Sequence, residues 1–275
     1  MGIASYLGGE RYEEEFVGVQ QRSVLERALR ILEAFQCGPD LLTLSEISHR
    51  TGIPLTTTHR IVKELAEWGA LEREPSGKYR VGLRLWEVAA HAPRSVGLQR
   101  IAMPFMQDLY ETTHRSVHLA VREKDEVVFV ERLASPDRVR ERPRVGGRYA
   151  MHATAVGLVL LAHAPEEVQR EVISGPLRMF TSRTYSSERE LRQVLADVRR
   201  AGYAVSDRQI DPDYVSFGAP IWGAQNTVVA ALSLIIPHAE ARGAGPGHIV
   251  QATARGISRA LGATIGSRSG WSGKR

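Results

Sequence analysis

The chain has 275 residues, 43% of them hydrophobic and 24% charged, enough for two domains that each bury a core and too apolar for wholesale disorder. No stretch reaches about 18 uninterrupted apolar residues, the start lacks a basic and then apolar secretion signal, and the single Cys37 can form neither an internal disulfide nor a cysteine zinc cluster, so a cytoplasmic protein held by packing is expected. The net charge of +5 decides little: residues 21–93 carry ten basic against nine acidic side chains and residues 94–275 twenty-five against eighteen, so the position of the charges must carry any argument about nucleic acid.

Residues 1–20, with Gly8-Gly9 and the acidic run Glu13-Glu14-Glu15, have no apolar period and read as a mobile tail. Ser23 stands three residues before Glu26, a capping-box spacing, and opens a helix to about Gln36 whose apolar face is Val24, Leu25, Ala28, Leu29, Ile31, Leu32 and Phe35. Gly38-Pro39-Asp40 stops it. A second box, Thr43 with Glu46, starts a short helix closed by Thr51-Gly52-Ile53-Pro54. Proline lacks an N–H and suits a helix start, so a third helix is predicted over 55–68 with Thr58, Ile61, Val62 and Leu65 inside. Two short helices joined by a tight glycine turn are the elements of a helix-turn-helix. Alternation on either side of Pro75-Ser76-Gly77 predicts a two-stranded wing, and Leu83, Leu85, Trp86, Val88 and Ala89 predict an amphipathic connector helix that also serves as a dimer contact.

Beyond residue 97 the pattern gives a helix over 98–112 and a strand pair over 116–122 and 127–133. An Arg-rich strand follows toward Arg148, then helices over 153–162, 166–173 and 188–201, strands over 203–206, 215–221 and 227–236, and a last helix over 247–261. Adjacent hairpin strands with grouped helices predict an α+β domain with a mainly antiparallel sheet. The expected division is therefore a tail at 1–20, a winged helix-turn-helix at 21–82, a linker helix at 83–96, an effector-binding domain at 97–265 and a disordered tail at 266–275.

A recognition helix needs short polar side chains near its start and an apolar opposite face. Thr56, Thr57, His59, Arg60 and Lys63 occupy the polar positions. Thr57 and His59 suit base edges or nearby phosphate, while Arg60 and Lys63 suit the sugar-phosphate backbone. Lys78 and Arg80 on the wing, with Arg22 before the first helix, add phosphate contacts. The alternative is an ordinary solvated face, with Arg60 paired to Glu64 one turn later. Order and spacing together point to binding of double-stranded DNA.

The chain resembles the isocitrate lyase regulator (IclR) family of bacterial transcription factors from about Ser23 to Leu261. The motifs are Leu44-Ser45-Glu46-Ile47-Ser48, Thr51-Gly52-Ile53-Pro54, Thr57-Thr58-His59-Arg60-Ile61 and Tyr79-Arg80-Val81-Gly82, then the run from Gly146 to Gly157, Ala219-Pro220-Ile221, and Val229-Ala230-Ala231-Leu232-Ser233 with Pro237. The resemblance implies a GAF-like α/β effector domain, homodimers that also pair into tetramers, pseudo-palindromic operators and a small, usually carboxylate-bearing effector. It further implies a pocket lined by Tyr149, Met151, Ala155, Val156, Asp207, Ser216 and Ser233. Ala155 and Val156 begin a predicted helix, whose free N–H groups favour an anion, and the two serines can donate hydroxyl hydrogen bonds. Ser216 stands where the family usually has Cys, Asp213 where it often has Gly, Ile235 where a second Ser is common, Ala150 where Pro is frequent and Leu158 where Lys is usual. The stretch from Asp207 to Ser216 reads one residue short. The identity of the effector does not follow.

Arg138, Arg140, Arg142, Arg144 and Arg148 form either a solvated strand face or, with alternate side chains turned inward, a set of guanidinium forks for an acidic ligand. No nucleophile elbow, phosphate-binding lysine loop or His-Glu-x-x-His pair is present, and Gly243, Gly245 and Gly247 lack the strand that a dinucleotide loop needs. His114 and His118 bracket a predicted helix-to-strand change, which does not suit a shared metal. No catalytic residue, metal or cofactor is therefore expected. The competing readings are a DNA-binding adaptor whose second domain only dimerises and a small-molecule enzyme.

Overall fold

The computed structural model describes residues 23–36, 39–90, 93–135, 144–241, 243 and 245–264. The expectations for Arg22, Arg138, Arg140, Arg142 and the two tails lie outside the described residues. The chain divides into two compact units, Met1–Val96 and Gly97–Arg275.

In the first unit, α1 (Val24–Glu33) starts where Ser23 Oγ accepts the Glu26 N–H at 3.0 Å, and it ends three residues before the expected Gln36. The box at α2 (Leu44–Thr51) is complete: Thr43 Oγ1 accepts from Glu46 N at 3.2 Å and a Glu46 carboxylate oxygen accepts from Thr43 N at 2.7 Å. Gly52 closes α2 in the left-handed region at φ 64°, where a side chain would be strained, and this turns the chain sharply into α3 (Leu55–Trp68). Strands β1 (Leu71–Arg73) and β2 (Tyr79–Val81) pair antiparallel to form the wing, and Leu42 adds a bridge to Tyr79. A short α4 (Leu83–Ala89) follows. Ile31, Leu42, Ile47, Ile61, Val62 and Leu71 form the core beneath these elements.

The second unit begins within α5 (Pro93–Thr113), where Pro93 occupies the favoured first helical position; the helix thus runs through the boundary at residues 96 and 97 rather than starting near Leu98. Strands β3 (Ser116–Glu123), β4 (Glu126–Leu133), β5 (Arg148–Ala150), β6 (Ala204–Asp207), β7 (Tyr214–Trp222) and β8 (Val228–Pro237) pair in the order β5-β4-β3-β8-β7-β6, every pairing antiparallel. Side chains alternate across a strand, so each contributes to two layers. Val117, Leu119, Val215, Phe217, Ala219, Leu232 and Leu234 pack against α5 and α9 (Gly245–Ala260). Ala120, Val127, Phe129, Ala204 and Ala231 pack with α6 (Ala155–Ala162), α7 (Glu166–Ser174) and α8 (Glu188–Ala201) on the other face. All eight residues of α6 are buried, which explains a helix that is apolar all round.

Candidate functional site

On α3 the residues fall on two sides as helical spacing requires. Ile61 and Val62 are buried, and Thr58 is fully buried with its hydroxyl donating to the Ile53 carbonyl at 3.1 Å, which ties α3 to the preceding turn. Thr56, His59, Arg60 and Lys63 are exposed and Thr57 is half-buried at the start of the same helix. Arg60 lies 2.9 Å from Glu64 and Lys63 lies 3.7 Å from Glu67, so the pairing considered for Arg60 is present in the free chain. On the wing Lys78 is half-buried and Arg80 is exposed, the latter bridged to Glu72 at 2.8 Å and to Glu74 at 3.0 Å. These exposed pairs are weak and salt-screened, so a phosphate of comparable geometry can displace the acid.

The second candidate site is the sheet face beneath the N-terminus of α6. Thr154 caps that helix, its hydroxyl accepting the Gly157 N–H at 3.0 Å, and the N–H groups of Ala155 and Val156 begin the turn that a helix's own carbonyls cannot reach. Gly218 on β7 lies directly below: a Cβ there would sit 2.7 Å from the Ala155 carbonyl carbon, so only glycine admits this approach. Met151 is buried just before the helix. Beside it His152 is also buried, its Nε2 facing the Arg178 carbonyl at 2.9 Å, which makes that nitrogen the donor; burial pushes its pKa below the usual 6.5.

Strand pairing brings several polar groups to this face. Ser216 lies opposite Ser206, and Ser233 lies opposite Gly218 on one side and His118 on the other. Ser206 is buried and donates to the Ala153 carbonyl at 2.8 Å, fixing the loop that leads into α6. At the far end His118, Phe129 and Tyr149 form an edge-to-face series with ring centroids 5.3 Å apart at each step. Tyr149, Met151, Ala155, Val156, Ser216 and Ser233 are thus assembled on one side of the sheet.

Asp207 is not brought to that face. It follows Ser206 by one residue and points to the opposite side with Val205, where it borders a depression lined by Tyr203, Val215, Phe217 and His238. There it is an anchor: Arg183 reaches it at 2.6 Å and Arg208 at 2.9 Å, and hydrogen bonding from Arg208, opposed in part by burial, leaves its pKa below the ordinary carboxylate value. Ser206, its neighbour, faces the α6 side instead, so Asp207, which the resemblance counts among the pocket residues, stands across the sheet from the others.

The sequence reading also passed over His118, Phe129 and Ser206 as members of this face. Polar residues at every second position in Ser116-Val117-His118 carried a signal for His118, since a strand buried on both sides has no solvent to take them. His114, exposed just past the end of α5 at φ 50°, stands outside this face, in keeping with the expectation that it and His118 do not suit a shared metal. Among the described residues no group of three or more His, Cys, Asp or Glu is placed to hold a metal ion. The described helices include none long and apolar enough to cross a membrane.

Residues 24–75 match the model of the IclR helix-turn-helix domain, and residues 90–259 match that of the bacterial transcriptional regulator IclR C-terminal domain. The chain is 31% identical over 212 residues to the HTH-type transcriptional regulator XynR of Escherichia coli, covering 76% of this chain and 84% of that protein. Among solved structures, an IclR homologue from Microbacterium hydrocarbonoxydans in complex with 4-hydroxybenzoate is 37% identical, with a TM-score of 0.81 over 87% of this chain and 99% of its own. An IclR transcriptional regulator from Alicyclobacillus acidocaldarius is 25% identical, with a TM-score of 0.76 over 88% of this chain and all of its own.

Proposed function

The chain belongs to the IclR family of bacterial transcriptional regulators, DNA-binding helix-turn-helix proteins with a C-terminal effector domain, and from that premise we propose that its effector is a small aromatic carboxylate bound beneath α6. The observation that carries this reading is the joint placement of a helix N-terminus, two serines and a series of aromatic rings on one sheet face. The N–H groups of Ala155 and Val156, with the helix dipole behind them, take the carboxylate. Ser216 and Ser233 donate to it, Phe129 and Tyr149 take the ring, and Met151 packs beside it. The M. hydrocarbonoxydans relative, which holds 4-hydroxybenzoate, supports the class.

Effector binding alters the hold on DNA. In this proposal α3 enters the major groove with Thr56, Thr57 and His59 toward the bases. Arg22, Arg60, Lys63, Lys78 and Arg80 neutralise phosphates, each exchanging any internal acid partner for the duplex. A homodimer is required to read a pseudo-palindrome. The exposed Leu25 and Leu29 of α1, with Leu83, Trp86 and Val88 of α4, form apolar surface for a second copy to cover. Such a regulator works in the cytoplasm and has no reaction of its own, as its relatives are regulators.

A thermal-shift titration with benzoate, 4-hydroxybenzoate and a set of aliphatic acids tests the effector class. A bound acid at about 100 times its Kd stabilises the protein by about 2.7 kcal/mol and raises its melting temperature. Aromatic acids that shift the melting point and also change the affinity for duplex DNA support the proposal. A shift with aliphatic acids alone, or with none, contradicts it.

A further inference from the structure

Two of the large apolar side chains on α3 stand in solvent: Leu55 at its first residue, 48% exposed, and Trp68 at its last, 43% exposed. Trp68 has a cover, since the Arg84 guanidinium lies 4.6 Å over its ring and donates to its carbonyl at 2.9 Å. Leu55 stands outside the core that Ile53, Ile61, Val62 and Leu65 join. It shares a flank of the helix with His59, four residues on, and Thr56 and His59 beside it are exposed as well. Pro54 sets the entry into the helix at φ −52°, and the first turn contains no acidic residue, so no carboxylate in that turn repels a duplex. Leu55 thus continues the polar face of α3 at the end that meets base edges in a helix-turn-helix, but it brings a hydrocarbon where its neighbours bring hydroxyls and an imidazole.

We propose that Leu55 is a specificity-determining residue that reads the C5-methyl group of a thymine in each half-site. The inference rests on the placement of α3 in the major groove given above and adds an apolar reader to Thr56, Thr57 and His59. Thymine alone of the four bases presents a methyl group in that groove, and a leucine side chain against it takes both hydrocarbons out of water. Uracil keeps every hydrogen-bonding group of thymine and lacks the methyl. A residue that reads O4 therefore treats the two bases alike, whereas Leu55 separates them.

The experiment selects an operator from a random duplex pool with the full-length protein. Affinities are then measured by fluorescence anisotropy for that operator with each thymine replaced in turn by uracil. Parent, Leu55→Ala and Leu55→Met are compared. In the parent, one symmetric position should lose about fourfold when a single half-site carries uracil and about fifteenfold when both do. Leu55→Ala should bind the unmodified operator about as the parent binds the doubly replaced one, and uracil at that position should cost it less than about twofold. Its slope of log affinity against log salt should equal that of the parent, because no phosphate contact is lost. Leu55→Met keeps an apolar side chain and should retain part of the discrimination. A parent indifferent to every replacement overturns the assignment. So does a Leu55→Ala protein as sensitive as the parent, which gives the methyl to another residue such as Thr57, or one that falls to a monomer, which gives Leu55 to a second copy. A pool that yields no operator overturns the placement of α3 itself and the assignment with it.

Discussion

Glu72 in the wing accepts a hydrogen bond at 3.0 Å from the backbone N–H of Leu83, the first residue of α4. Its other carboxylate oxygen takes two hydrogen bonds from Arg80, at 2.9 and 2.8 Å. One side chain therefore joins the wing cation, the wing strand and the start of the connector helix. The Leu83 N–H, with Arg80 second, holds the Glu72 carboxyl below its usual pKa, and the anion sits where the α4 dipole favours it.

Removing that carboxylate should act at both ends. Glu72→Ala is expected to fray the start of α4 and lower the melting temperature, because Gly82 offers no side-chain cap to replace it. The same change frees Arg80 from Glu72, so nonspecific affinity for duplex DNA at low salt should rise. Melting curves and fluorescence anisotropy at several salt concentrations check both effects.

Arg60 and Glu64 offer a test of the recognition helix itself. Arg60→Ala should weaken binding to every sequence alike and reduce the slope of log affinity against log salt by about one. Glu64→Ala removes the acid now 2.9 Å from Arg60 and should tighten binding by about threefold, again without regard to sequence. Thr57→Ala should instead change the ranking of operator variants, as a residue facing bases would.

Asp207 and Ser233 separate anchor from ligand partner. Asp207→Asn should lower the melting temperature, since it loosens Arg183 and Arg208, yet leave effector affinity within about twofold of the parent. Ser233→Ala should cost effector affinity about tenfold with little change in the apo melting temperature. Parallel thermal and calorimetric titrations discriminate the two.

His152 gives the second unit a pH dependence. Burial lowers its folded pKa below 6.5, so the unfolded chain binds the proton more readily. The resulting stability is present in full above pH 6.5 and is lost as pH falls from there toward the lowered folded value. Melting temperatures measured between pH 8 and pH 5 should therefore drop on the acidic side, and His152→Gln, which keeps a donor for the Arg178 carbonyl, should flatten that part of the curve.

Much of this was legible because it is local. The Thr43–Glu46 box, the Gly52 turn and the bounds of α3 follow from side chains acting within a few residues of themselves. The period-2 pattern likewise located β3, β4, β7 and β8 to within two residues. The candidate effector face was legible only in part, because it is not local. His118, Phe129 and Tyr149 meet through the adjacent strands β3, β4 and β5, and Ser206, on the far edge strand β6, shares only their face of the sheet, an order that no sequence window contains. Asp207 shows how sharp the limit is: one position along β6 sends a side chain through the sheet, so Ser206 and Asp207, adjacent in sequence, stand on opposite faces. Exposed pairs such as Arg80 with Glu74 depend on the wing's register and were equally out of reach.

The central claim, that α3 reads duplex DNA for a dimer whose grip an aromatic acid alters, is tested most directly by selecting duplexes from a random pool with the full-length protein and eluting them with 4-hydroxybenzoate. The account predicts enrichment of an inverted repeat whose half-sites lie one or more helical turns apart, released by the acid and changed in sequence by Thr57→Ala. A pool that stays random at low ionic strength, or an enriched site indifferent to both the acid and the Thr57 change, contradicts it.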